Sequence, residues 1–465
     1  MSATLQQFDL IIIGGGSAGY AAARTAVDAG ARVALVDHGP LGGLCILRGC
    51  MPSKTLLRSS ELAADMRRAK EFGLSPVEVH ADLASIVDRK DRLVREFADD
   101  RIRSLRDGRF TLIEGEALFR TPHEIRVDGT VLRGAAFILA TGSIPAEIPI
   151  PGLAESGYMT SDTIMDLRAQ PASLIVLGGG SVATELGQFF ARLGTRVIIL
   201  QRGDALLSYF DHDLGYALEE VFRTEGIDVV TRADFLRVSA EGAQKTVHIT
   251  HHGRNRSVTA DLILHAMGRQ PNLAGLNLPA AGVTVNGRRP TVGSDMRTTQ
   301  PHIFAVGDAN GLTASVHVAI QQAEIAAYNA LHPDRTPKRL DHRLDLEVIF
   351  TDPQVAVLGM SETACRAEKV PYLAASYRFA DHGKAMCLGR THGFVKLLCQ
   401  PKSGVLLGAQ VIGAEAGELI HELAAVMYYH GTVYDLTRIP HYHPTLAEII
   451  TYPAEELVGR VQDAS

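Results

Sequence analysis

Asp9-Leu10-Ile11-Ile12-Ile13-Gly14-Gly15-Gly16-Ser17-Ala18-Gly19 decides the fold, because Ser173-Leu174-Ile175-Val176-Leu177-Gly178-Gly179-Gly180-Ser181-Val182-Ala183 repeats its pattern. Each stretch is a short apolar run of strand type, then G-x-G-x-x-G or G-x-G-x-x-A, then an Ala- or Leu-rich helical segment. Each continues to a second apolar run, residues 32–36 and 196–200. A lone G-x-G-x-x-G is a weak signal, and a pair of Gly-rich turns in an α/β sheet is the plain alternative. Two copies in the same strand–turn–helix–strand setting point to two dinucleotide-binding βαβ units. The glycines permit a tight turn and let backbone N–H groups approach a pyrophosphate at a helix N-terminus.

The copies differ where cofactor chemistry predicts a difference. In the first, the second strand ends in Asp37, placed to accept hydrogen bonds from a ribose 2′-hydroxyl. In the second, the equivalent position is Gln201, followed by Arg202. A carboxylate would repel a 2′-phosphate, whereas an amide beside a guanidinium tolerates one. The first unit therefore suits an unphosphorylated ribose, and the second leaves NAD against NADP open.

Composition bounds the rest. The 465 residues are 46% hydrophobic with a net charge of −6, which fits two to four globular domains and argues against a nucleic-acid partner. No apolar run approaches a membrane span, and MSATLQQ carries no basic stretch of a secretory signal. Five cysteines do not make a disulfide scaffold, so a reducing cytoplasm is expected. Residues 137–140, 262–267 and 303–306 read as further buried strands, the last followed by an Ala-rich helix. Residues 88–109 read as a charged helix with Leu93, Val94, Phe97, Ile102 and Leu105 on one buried face. From Glu347 onward, short strands and amphipathic helices suggest a separate C-terminal domain.

The chemistry is concentrated in Gly42-Gly43-Leu44-Cys45-Ile46-Leu47-Arg48-Gly49-Cys50-Met51-Pro52-Ser53-Lys54. Positions five apart on a regular helix rise about 7.5 Å, beyond the roughly 4.4–6.8 Å Cα span of a disulfide. A Cys45–Cys50 bridge therefore needs a distorted turn, for which Gly49 and Pro52 are the candidates. A strained bridge is easily reduced, as a redox-active pair should be, and the cation of Lys54, one turn beyond Cys50, favours thiolate. A metal half-site or two unrelated thiols are the alternatives, but no further metal ligand lies within the motif, and no metal is expected. Cys365, Cys387 and Cys399 are expected to be small buried hydrophobes. Near the C-terminus, His443 belongs to the side-chain type that titrates near neutral pH, and Glu448 is placed to fix its tautomer. Alone, that pattern also fits a structural histidine.

With these pieces in order, the sequence resembles the flavin-dependent pyridine nucleotide-disulfide oxidoreductases, a family that includes dihydrolipoamide dehydrogenase, glutathione reductase and mercuric reductase. GGGSAG, GGLCILRGCMPSK, ATGS, GGGSVATELG, GRQPN, IFAVGD, FTDPQVAVLG and HYHPTLAE follow the family's order over essentially the whole chain. The resemblance implies an α/β fold with two Rossmann-like domains, for FAD and NAD(P), plus a C-terminal α+β dimerisation domain. It divides the chain into an FAD-binding domain (1–150, with the redox cysteines), an NAD(P)-binding domain (151–275), a second part of the FAD and central domain (276–345) and the dimerisation domain (346–465). It places FAD against Gly14, Gly16, Gly19, Asp37, Lys54, Gly115, Ser143 and Asp308. It places the nicotinamide dinucleotide against Gly178, Gly180, Ala183, Gln201, Arg202 and Gly268, with Glu185 pairing Lys54 beside the flavin. Cys50 is then the thiolate facing the flavin and Cys45 the thiol that exchanges with substrate. His443 and Glu448 match the family's acid–base pair, which serves the other subunit's active site and implies a homodimer. The H-x-H-P-T-x-x-E ending is similar to dihydrolipoamide dehydrogenase, whereas residues 348–356 and 181–193 are more similar to mercuric reductase. The expected activity is oxidation of a lipoyl-bearing protein with NAD(P)+. The alternative is NADPH-driven reduction of a small disulfide or a metal ion.

Overall fold

The computed structural model describes residues 6–75 and 77–463; part of the N-terminal stretch read as lacking a secretory signal lies outside them. The chain forms two units. One contains the chain through Thr55 with Val87–Glu147 and Gly268–Leu340; the other contains Leu56–Ile86, Ile148–Met267 and the chain from Asp341 on.

In the first unit the opening apolar run becomes the strand Gln6–Ile13, with Leu10, Ile11 and Ile12 fully buried. A parallel strand covered on both faces reads as a continuous apolar run rather than an alternating one. Its sheet runs Thr111–Glu114, Val33–Asp37, Gln6–Ile13, Thr130–Leu139, then antiparallel Glu124–Val127 and Ala117–Thr121, with Ile303–Ala305 paired parallel to Thr130–Leu139. The helix Ser17–Asp28 packs its alanines on this sheet together with the helix Val316–Leu331.

In the second unit the repeat recurs as a parallel sheet in the order Asp228–Val230, Arg196–Leu200, Ser173–Leu177, Leu262–His265, Met159–Thr160. The registers correspond, Ile13 opposite Val36 in one and Leu177 opposite Leu200 in the other. This unit also holds an antiparallel five-stranded sheet, Leu346–Ile349, Gln354–Gly359, Leu406–Gly413, Phe394–Cys399 and Leu373–Arg378. The helices Ala416–Tyr428 and Thr451–Asp463 contribute to one core with that sheet. Lys396, buried on a strand of this sheet, places its ammonium 2.7 Å from Asp213 and 3.3 Å from Asp211, so the charge is buried but paired.

Three expectations need adjustment. The charged helix is Leu83–Leu105, and Phe97 is about half exposed rather than buried. Ala98 and Leu105 lie on the packed stripe, and Phe97 sits about 100° round the helix from Ala98. Cys365 and Cys399 are fully buried, but Cys387 is exposed at the end of the short helix Gly383–Leu388. The segment expected to contain a strand at 262–267 ends that strand at His265, and Ala266 lies against the Gly-rich turn, its carbonyl oxygen 2.4 Å from where a Gly178 Cβ would stand. Among the described residues no helix is long and apolar enough to cross a membrane.

The Gly-rich turns owe their composition to contact with the next strand. Gly14 adopts φ +106°, and a Cβ there would lie 2.3 Å from the Ala140 carbonyl oxygen; Gly178 adopts φ +112°, with a Cβ 2.4 Å from that of Ala266. A Cβ on Gly19 would lie 1.8 Å from the Gly14 carbonyl oxygen, a backbone atom with no room to retreat. Gly19→Val is therefore expected to cost more than about 3 kcal/mol through overpacking. Thermal unfolding and the flavin-to-protein absorbance ratio check it, and a variant with the parent melting temperature and full flavin content would contradict it.

Candidate active site

The cysteine segment is folded back onto the first Gly-rich turn. A Cβ on Gly43 would lie 2.6 Å from the Gly16 Cα, so only glycine admits this approach. A short helix, Leu44–Arg48, stops at Gly49 (φ −124°, ψ −114°), and a second helix, Cys50–Arg67, begins at once. A Cβ on Gly49 would lie 3.0 Å from both the Cys45 Cα and the Leu44 carbonyl oxygen. Gly49 thus supplies the expected distortion. Pro52 does not; it lies in the first turn of the second helix, where its missing N–H costs nothing.

This break brings the two sulfurs together, both as thiols. Cys45 is partly buried, Cys50 exposed. Its hydrogen bond with Cys50 and then burial push the Cys45 thiol well above the ordinary range, while the Lys54 charge pulls more weakly the other way. Cys45 is therefore the member that keeps its proton. Cys50 begins a helix, where the helix dipole favours an anion.

The residues expected around FAD cluster at the strand tips of the first unit. Asp37 accepts from the Gly15 N–H at 2.6 Å and the Gly39 N–H at 2.7 Å, one bond on each carboxylate oxygen. A carboxylate has about four lone-pair sites, so capacity for a ribose hydroxyl remains. The Gly115 N–H donates to the Asp37 carbonyl at 2.9 Å, which sets Gly115 beside it. Ser143 donates to Asp308 at 2.6 Å, and the Arg269 guanidinium, next to Gly268, donates to the Ser143 hydroxyl at 2.9 Å. The helix after the turn has no side-chain cap, and the buried Thr141 hydroxyl has no hydrogen-bond partner. An uncapped helix start, two glycines in contact and an orphaned hydroxyl together fit a dinucleotide pyrophosphate lying across this turn.

The second turn has the same form. The helix Ser181–Leu193 begins without a side-chain cap after Gly180, and Ala183 is fully buried within it. Gln201 stands where Asp37 does but is turned into its own loop, donating to the Ser208 hydroxyl at 3.2 Å; Arg202 is exposed. Glu185, buried in the helix, accepts from the Phe350 N–H at 2.8 Å, and Gln188 accepts from the Asp352 N–H at 2.8 Å. The F-T-D-P motif thus docks on this helix.

His443 and Glu448 belong to the second unit. The His443 Nδ1–H points to Glu448, 3.0 Å from Oε2 and 3.2 Å from Oε1. His443 is largely exposed and Glu448 is buried, so the imidazole is held from behind and open in front.

Two residues lay outside the sequence reading. Tyr209 lies against the second turn, 3.8 Å from where a Gly180 Cβ would stand, and its hydroxyl bonds with Ser181 and Glu347. His382 is fully buried with Nε2 3.2 Å from Glu448 Oε1. No local spacing signals either contact; both join segments far apart in sequence.

Residues 8–323 match the family model of pyridine nucleotide-disulphide oxidoreductases, and residues 346–454 match that family's dimerisation domain. The chain is 34% identical over 447 residues to a mercuric reductase from Bacillus cereus, covering 95% of this chain and 70% of that protein. It is 33% identical over 465 residues to a dihydrolipoyl dehydrogenase from Geobacillus stearothermophilus, covering 97% of this chain and 96% of that one. The crystal structure of LpdA from Mycobacterium tuberculosis superimposes with a TM-score of 0.87 at 30% identity, covering 97% of this chain and 99% of LpdA.

Proposed function

The chain belongs to the pyridine nucleotide-disulphide oxidoreductase family, the premise from which we propose that it is a dihydrolipoyl dehydrogenase, oxidising a protein-borne dihydrolipoyl group with NAD(P)+. The family uses FAD and NAD(P), and the C-terminal domain is of the dimerising type, which supports a homodimer. The observation that carries thiol–disulfide chemistry is the His443–Glu448 pair at 3.0 Å, because dithiol–disulfide exchange moves protons on and off sulfur whereas reduction of a metal ion does not require it; the lipoyl substrate is supported by the relatives named dihydrolipoyl dehydrogenase.

Each residue then has a stated task. His443 accepts a substrate thiol proton at Nε2, while Glu448 keeps the other proton on Nδ1. The substrate thiolate attacks Cys45 Sγ of the oxidised pair, the Cys45–Cys50 bond breaks, and Cys50 leaves as thiolate. The second substrate thiol, deprotonated in turn, closes the lipoyl disulfide and releases Cys45, which recovers a proton. The high proton affinity of Cys45 is the reason a base is needed when it must act as a nucleophile in the reverse direction. Two electrons leave the substrate dithiol and NAD(P)+ takes them with one proton; bound FAD supplies the two-electron relay between thiols and nicotinamide. Lys54 would supply a cation beside the flavin, Glu185 is the proposed anion, and Gly14, Gly16, Gly19, Asp37, Gly115, Ser143 and Asp308 would hold the flavin. Gly178, Gly180, Ala183 and Gly268 serve the nicotinamide dinucleotide. The reducing cytoplasm suits a dithiol substrate.

Steady-state kinetics with dihydrolipoamide and NAD+ test this, against glutathione disulfide and mercuric ion with NADH or NADPH. Dihydrolipoamide is expected to bleach the flavin absorbance rapidly under anaerobic conditions. Failure to do so ends the lipoyl reading. The second reading, reduction of a metal ion or small disulfide, is supported by the relatives named mercuric reductase and by Gln201-Arg202. If Arg202 meets a 2′-phosphate, Arg202→Ala raises the KM for NADPH about tenfold, the value of one charge-assisted hydrogen bond, and leaves that for NADH within twofold. Equal changes for both cofactors would remove Arg202 from the site.

A further inference from the structure

We propose that His382 is a positioning residue of the His443–Glu448 pair, gripping the buried glutamate through Oε1 so that Oε2 stays turned toward the working imidazole. The inference rests on the acid–base reading of that pair. Glu448 is nearly buried, with Oε2 3.0 Å from His443 Nδ1 and Oε1 3.2 Å from His382 Nε2. Two imidazoles therefore meet on one carboxylate, the exposed His443 within reach of both oxygens and nearer Oε2, the fully buried His382 on Oε1.

The inner ring has nowhere else to turn. Among the described residues neither of its nitrogens has an aligned hydrogen-bond partner; the approach of Nε2 to Oε1, at 3.2 Å, has the distance of a hydrogen bond but not its direction. A buried imidazole left without a partner bears its full desolvation penalty, so packing alone would favour an apolar side chain here. The backbone on both sides is fixed, with the His382 N–H donating to the Phe379 carbonyl at 3.1 Å and the Met386 N–H to the His382 carbonyl at 3.0 Å. The ring is thus presented at a set place rather than carried on a loose loop.

Charge favours a neutral His382. Burial lowers its proton affinity, the Glu448 carboxylate works against that, and His443 adds to it. The other groups around it are accounted for. Tyr452 meets the ring edge-on at 6.1 Å and is stacked on Tyr377 at 4.2 Å. The adjacent Asp381 carboxylate is taken by Arg378 at 3.0 Å. A neutral ring carries one N–H, and placed on Nε2 it donates to Glu448 Oε1. That bond draws Oε1 away from His443, which otherwise shares it at 3.2 Å, settles the Nδ1–H of His443 on Oε2, and so leaves His443 Nε2 bare for the thiol proton. No charge crosses to His382; it acts through Glu448.

The test uses the flavin-loaded enzyme with dihydrolipoamide and NAD+, and NADH oxidation by ferricyanide as a readout that bypasses the thiols. His382→Phe keeps a ring but no donor, and is expected to lower kcat about tenfold with KM within twofold. The rising limb of its pH–rate profile moves up by about half a unit, because a carboxylate that has lost a donor holds the shared proton more tightly. His382→Gln, whose amide N–H reaches about as far as Nε2–H, restores most of both. Ferricyanide turnover stays at the parent level in each. In a Glu448→Gln background His382→Phe has no further effect on kcat, whereas a merely structural role lowers it in both backgrounds. Should the Phe variant fail to hold flavin, His382→Asn, polar but too short to reach, takes its place with the same expected losses. Parent-level kcat and pH profile in these variants, or equal damage in the Gln variant, overturn the proposal while His443→Gln remains slow. If His443→Gln itself leaves thiol turnover intact, the acid–base reading falls and His382 falls with it.

Discussion

Cys50→Ser is expected to lower dithiol oxidation and disulfide reduction by at least about a thousandfold, the scale on which removal of a covalent nucleophile is felt. Cys45→Ser should do the same. The two variants are expected to differ elsewhere, because the residues differ in environment. Cys50 is exposed and opens a helix, whereas Cys45 is partly buried and holds its proton through the bond to Cys50 and through burial. With Cys45 replaced, Cys50 keeps the helix start, where the dipole favours an anion, and is expected to meet the oxidised flavin as a thiolate and broaden its visible absorbance toward longer wavelength. With Cys50 replaced, Cys45 loses the largest cause of its raised proton affinity and retains burial, so it stays a thiol and the long-wavelength band is absent. NADH oxidation by ferricyanide should survive in both, since it needs neither sulfur. Turnover of dihydrolipoamide near the parent rate in either variant would make the cysteines bystanders and remove the basis of the functional reading.

The second large effect concerns the acid–base pair. His443→Gln is expected to slow dihydrolipoamide oxidation by roughly a hundredfold to ten-thousandfold, the range attributed to a positioned general base, with ferricyanide turnover unchanged. In the direction of dithiol oxidation the imidazole must start neutral. The parent rate is therefore expected to rise as the pH rises, and this limb should vanish in the Gln variant. In the reductive direction the pair must start protonated, so the same limb appears with opposite slope. Glu448→Gln replaces the buried acceptor 3.0 Å from His443 Nδ1 with an amide and is expected to give a smaller loss of the same character. Flat pH dependence in the parent, or retention of the limb in His443→Gln, would place proton transfer elsewhere.

Much of this was legible from the chain alone because it is local. The strand–glycine–helix repeats were readable since a parallel strand covered on both faces must be apolar throughout, and since only glycine fits where a turn lies against a carbonyl, as Gly14 does against Ala140 and Gly178 against Ala266. That Cys45 and Cys50 could pair only through a distorted turn was readable from their spacing, with Gly49 between as a place for it. His443 and Glu448 lie within one short segment, so their contact needed little more than a turn.

Contacts between distant segments were not legible. The F-T-D-P motif announced itself as a motif, but that Phe350 and Asp352 offer their N–H groups to Glu185 and Gln188 depends on how the C-terminal sheet and the second βαβ unit pack within their unit. The partners of Lys396 come from the Asp211–Asp213 turn and Glu362, a network no spacing foretells. His382 carried no signal, because an isolated histidine before a glycine reads as a loop residue until folding buries it against Glu448.

The sequence by itself determined the two nucleotide-binding units, the cysteine segment and the family, because each is written in residues close together whose backbone geometry admits few substitutes. The tertiary structure alone decided how far Cys45 is buried and what stands behind Glu448. Burial and the approach of side chains from remote segments set proton affinity and orientation, and neither quantity exists until the chain has closed on itself.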